Sequence, residues 1–65
     1  MAGDDLSFTV ELWSAGFDKL EATLVRASDL LAARAAFESL AERRPGAAIM
    51  LRQKTHVVLK SGGDR

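Results

Sequence analysis

The chain has 65 residues, nine basic and nine acidic side chains and no formal net charge. That length allows one domain, which can bury only about 60% of the surface its unfolded chain exposes. Of its 31 hydrophobic residues 11 are alanine, leaving 20 larger side chains for one thin core. The absence of cysteine excludes disulfides and thiolate metal sites, and a single histidine, His56, excludes a site of several imidazoles within one chain.

The sequence opens with MAGDDLSF, which places acids where a secretory signal carries bases and lacks an apolar h-region. Ala2 stands where myristoylation requires glycine, and no apolar run approaches the roughly 18 residues of a membrane span. The expectation is a soluble, cytoplasmic protein with no membrane association. Residues 7–13, SFTVELW, alternate Phe8, Val10 and Leu12 with Thr9, Glu11 and Trp13, the period of a strand with one buried face. Gly16 suits a loop position with positive φ. In residues 19–27, Leu20, Ala22 and Leu24 alternate with Glu21, Thr23 and Val25. A second strand fits, and a helix through Phe17, Leu20, Leu24 and Ala27 is the alternative; β-branched Thr23 and Val25, and the helix start that follows, favour the strand.

Residues 28–44, SDLLAARAAFESLAERR, carry the clearest signal. Leu30, Ala33, Phe37, Leu40 and Ala41 recur at helical spacing. Ser28 or Asp29 can accept from the free N–H groups of the first turn. Arg43 and Arg44 suit the negative end of the dipole, and Pro45-Gly46 stops the helix. Residues 48–61, AIMLRQKTHVVLKS, read as strand. One strand of that length is unusual, so a hairpin with a three-residue loop at Gln53, Lys54 and Thr55 is expected, with one bent strand as the alternative. The hairpin puts Ile49, Leu51, Val57 and Leu59 on one face. The terminal SGGDR is expected to fray. The pattern predicts an α+β, two-layer ββαββ domain, with one long helix packed on a three- or four-stranded, mainly antiparallel sheet. The helix stripe would face Phe8, Val10, Leu12, Leu20, Leu24, Ile49, Leu51, Val57 and Leu59.

Catalytic signatures are missing. His56 reads as a polar side chain on an outer strand face rather than a general base, because no nucleophile or orienting group accompanies it. Asp4 and Asp5 read as a solvated pair. Neither Pro45-Gly46 nor the Ser61-Gly62-Gly63 run has the spacing of a phosphate loop. Charge is divided along the chain. Residues 1–42 hold eight acids against three bases, a net of −5, and residues 43–65 hold six bases against one acid, a net of +5. Arg43, Arg44, Arg52, Lys54 and Lys60 are therefore candidate anion contacts, and nucleic acid is a possible partner through its phosphates. Local reasons compete: arginines cap a helix C-terminus, and lysines protect edge strands. Trp13 is the one aromatic residue expected on the outer face, which argues against single-strand stacking.

The outer sheet face would show Trp13, Val25, Met50 and Val58 among charges of both signs, a composition that suits a protein interface. These four are the candidate interface residues. A small domain without disulfide or metal gains from association, and Glu11 and Glu21 of one copy could meet Arg52 and Lys60 of another. The SDLLAARAAFESLAERRPG helix and the following IMLRQKTHVVLKS segment resemble small uncharacterised bacterial proteins with an Ala-rich helix, a proline turn and an "LR" strand. The resemblance spans residues 7–61 and implies a bacterial, cytoplasmic protein, with no site or activity. The resulting expectation is a non-enzymatic interaction module without cofactor or metal. Its partner would be a second copy of itself or another protein, with nucleic-acid binding through the basic C-terminal half as the alternative.

Overall fold

The first strand pairs on both sides and is one of the two inner strands of the sheet. The computed structural model describes residues 7–63; Asp4, Asp5, Asp64 and Arg65 lie outside the described residues. Within them the chain runs β1 (Phe8–Trp13), a 3-10 turn (Ala15–Phe17), β2 (Leu20–Ala27), α1 (Leu30–Arg43), β3 (Ala48–Gln53) and β4 (His56–Ser61). The strands form one antiparallel sheet in the order β2-β1-β3-β4. The helix joins β2 to β3 and covers one face, which completes an α+β ββαββ domain. Of the segment 19–27, Leu20–Ala27 is thus strand, and 48–61 form a hairpin. Its turn is two residues, Lys54 and Thr55, because Gln53 pairs with His56. Lys54 takes a left-handed φ of 56°, a conformation that asparagine or glycine occupies at lower cost.

Helix α1 is bounded by the groups that the sequence offers. The Asp29 carboxylate accepts from the Ala32 N–H at 3.2 Å, and the Arg44 N–H donates to the Leu40 carbonyl at 2.9 Å before Pro45. Ala33 and Phe37 are buried from the helix side, with Ala36 and Leu40 beside them. Leu30 is 41% exposed and sits outside this stripe. With alanine at 33 and 36, Phe37 is the largest buried side chain that the helix contributes.

Across the sheet the buried set is Val10, Ile49 and Leu51, with Phe8, Leu12, Val25, Ala27, Val58 and Leu59 packed against it. Three expectations about facing fail for one reason. Register shifts occur in β2 between the partners of Val10 and Glu11 and again between those of Leu12 and Trp13. The extra residues are Leu24 and Glu21, and each bulge inverts the alternation. Val25 therefore pairs with Val10 on the helix side, while Leu20 pairs with Trp13 and is 46% exposed. A third shift leaves Val58 unpaired in β4, so Val58 packs on the core and Val57, opposite Arg52, is 44% exposed.

The glycine-rich end is also held. Gly63 donates to the Gly46 carbonyl at 3.1 Å and accepts from the Gly16 N–H at 2.9 Å, so its backbone bridges the two loops. Gly63, at φ 76°, is buried, and a Cβ there would strike the Phe17 ring.

With Phe37 as the largest buried side chain of the helix, Phe37→Ala should destabilise the domain by about 3–5 kcal/mol. Urea unfolding reads this directly, and an unchanged midpoint would mean that the helix is held by other contacts.

Candidate functional site

The face of the sheet away from α1 is organised by strand register. In one row Arg26, Thr9, Arg52 and Val57 stand side by side from β2 to β4; the next holds Thr23, Glu11, Met50 and Lys60; the third holds Leu20, Trp13 and Ala48. At the centre, the Glu11 side chain is only 4% exposed. Such burial of a carboxylate is costly without donors, and three are present. Arg52 Nη2 donates to it at 2.8 Å, Thr9 Oγ1 at 3.1 Å and Trp13 Nε1 at 3.1 Å. Thr9 and Trp13 lie two residues either side of Glu11, on the same face by strand alternation, and Arg52 arrives from β3. The Arg52 guanidinium also lies over the Trp13 ring, 5.8 Å from its centroid. Arg52 Nε is buried without an acceptor among the described residues.

Burial pushes the Glu11 carboxyl up, but the hydrogen bonds from Arg52, Trp13 and Thr9, together with the Arg52 charge, outweigh it and hold the group below its ordinary value of 4.5. Glu11 is therefore a fixed anion that orients Arg52 and Trp13, and a poor general acid near neutrality.

These contacts revise the expected interface. Of its four residues, Val25 and Val58 belong to the core side, and Met50 is already buried within the monomer, at 7% exposure. Trp13 alone remains half-buried on the open face, joined there by Leu20 and Val57. The Phe17 ring and the Ala48 methyl both crowd Gly63, and the Lys60 ammonium lies 4.7 Å from the Phe17 centroid. Phe17 thus closes the Trp13 end of the face. The expected pairing of Glu11 with Arg52 between two copies is instead made within one chain.

The expected anion contacts also separate. Arg43 and Arg44 end the helix, next to the start of β3, whereas Arg52 and Lys54 lie at its far end, about 13 Å of strand away. Lys60 is engaged at the Phe17 end. Arg52 and Lys54 do converge, with Arg26, on a shallow depression of about 390 Å³ that Ser7, Thr9, Glu11, Leu20 and Thr23 complete. The sequence reading left Arg26 out of this set, although an arginine in phase with Leu20, Ala22 and Leu24 was a sign that the alternation of β2 must break. His56 is exposed at the hairpin turn. Among the described residues no group of three acids or histidines could hold a metal ion, and no helix is long and apolar enough to cross a membrane.

A carboxyl held below its ordinary value stabilises the fold above that value, and this contribution is lost as pH falls through the native one. Glu11→Gln should cost about 1–3 kcal/mol at pH 7, and its gap from the wild-type protein should narrow as pH drops below about 4.5. Urea midpoints at neutral and acid pH measure both, and an equal gap at the two would show that the charge on Glu11 contributes nothing. Set against protein families, curated proteins and solved structures, the chain finds no match in any of the three.

Proposed function

We propose that the protein is a non-enzymatic interaction module that associates with a second copy of itself through the sheet face opposite the helix. One observation carries this reading. Trp13 and Leu20, direct partners across β1 and β2, stand side by side on the uncovered face, and Leu20 is 46% exposed. The indole is held by Glu11 and overlaid by Arg52, so little side-chain freedom remains to be lost on docking. Tryptophan and arginine are also frequent interface anchors. On the same footing we place the chain in the bacterial cytoplasm, which the resemblance of its helix and third strand implies.

A second reading, a small nucleic-acid binder, draws support from the three cations that share one depression. It requires retention on a nucleic-acid column that collapses with salt; no retention at low salt removes it.

For self-association, the sedimentation mass should rise towards that of a dimer with concentration, with a concentration-dependent change in Trp13 emission, and Leu20→Glu should abolish both. Placing a charge at an exposed position leaves the core intact, so the variant tests the surface alone. A monomer mass that persists into the millimolar range would sink the reading.

A further inference from the structure

We propose that the depression at the Thr9 end of the outer face is a discrete binding site for a phosphate-type oxyanion, held by Arg26, Arg52 and Lys54. The register places Arg26 and Arg52 on either side of Thr9, two strand spacings or about 10 Å apart at the backbone. Two arginine side chains can close that span on one oxyanion. Lys54 reaches the same depression from the β3–β4 turn.

The three cations are not equivalent. Arg26 and Lys54 have no ion-pair partner among the described residues. Arg52 is pinned by Glu11 and Trp13. With Nε buried and Nη2 held by Glu11, it presents its remaining Nη hydrogens in a set direction, which lowers the entropy cost of a contact. Glu11 also lines the depression, and its charge opposes an anion. Both its oxygens are already engaged by Thr9, Trp13 and Arg52, and among the described residues that line the depression three bases stand against this one acid. The Thr23 hydroxyl adds a neutral group to the wall. The same phosphate chemistry is offered by a free phosphorylated small molecule and by a nucleic-acid backbone.

The site adjoins the face proposed for self-association, since Leu20 lines the depression and Arg52 overlies Trp13. Its three cations come from one chain, so a protein that proves monomeric by sedimentation can still bind the anion.

Pyrophosphate titrated into the full chain at low ionic strength, followed by calorimetry and by the emission of Trp13, tests the proposal, with sedimentation at the same protein concentration. The expected result is saturable one-site binding, weakened about tenfold or more in R26Q/K54Q and unchanged in R43Q/R44Q, which removes equal charge at the opposite end of β3. Circular dichroism of both variants establishes that they fold. If a single-stranded oligonucleotide also binds and is lost with the same pair, the backbone phosphate is one source of the ligand and the site stands. Absence of saturation with pyrophosphate, binding by the oligonucleotide alone, or equal weakening in the two double variants would overturn it.

Discussion

A four-stranded sheet with one helix must close its second face without a second layer, and here the closure is made around a buried carboxylate. Glu11 sits on the central strand, on the opposite side from Val10, which is fully buried. A slip of β1 by one residue would exchange them, putting a charge among Ile49, Leu51 and Phe37 and a valine beside Arg52. Of the three hydrogen bonds to Glu11 only the one from Arg52 crosses to β3, and it opposes such a slip together with the apolar core. Their net contribution to stability is smaller than their number suggests, since desolvation of both charges offsets much of the attraction. Their larger effect is to hold Arg52 and Trp13 in one arrangement.

The second closure comes from the chain's own loops. Gly16 and Gly46 bind the backbone of Gly63, and the missing side chain at 63 admits the Phe17 ring beside Ala48. Lys60 then lies against that ring, covering apolar surface with its stem while its charge stays in solvent. This explains why Met50 and Ala48, which point away from the helix, are buried in a monomer. It also sets Trp13 and Phe17 towards one end of the face and Arg26, Arg52 and Lys54 towards the other, with Glu11 between them and Leu20 in contact with the cationic depression.

Local signals made much of this legible in the sequence. Helix α1 begins and ends where Asp29, Arg44 and Pro45 indicate, because capping is a property of a few neighbouring residues. The period of Phe8, Val10 and Leu12 placed β1 correctly, and Gly16 takes the positive φ its position suggested. The sequence also pointed to Arg52 and Lys54 as cations near one turn. Facing in β2 and β4 was not legible, since a bulge changes the phase without changing composition. In VVL at residues 57–59 no polar residue marks which valine turns inward. The charge run at Arg43 and Arg44 looked continuous with Arg52 only because sequence proximity conceals the length of a strand.

The bulges bear on function as well as on facing. Without the two in β2, Arg26 would share the helix side with Val10 and Leu51, where an unpaired guanidinium is expensive to bury. With them, Arg26, Thr23 and Leu20 all turn to the open face, so the cationic depression and the apolar pair at Trp13 both depend on the same irregular strand. The extra residues, Leu24 and Glu21 in β2 and Val58 in β4, fall on the two edge strands, while β1 and β3 pair with each other without a break. Edge bulges disturb the ladder that an incoming strand would have to match. Association by strand addition is therefore disfavoured at both edges.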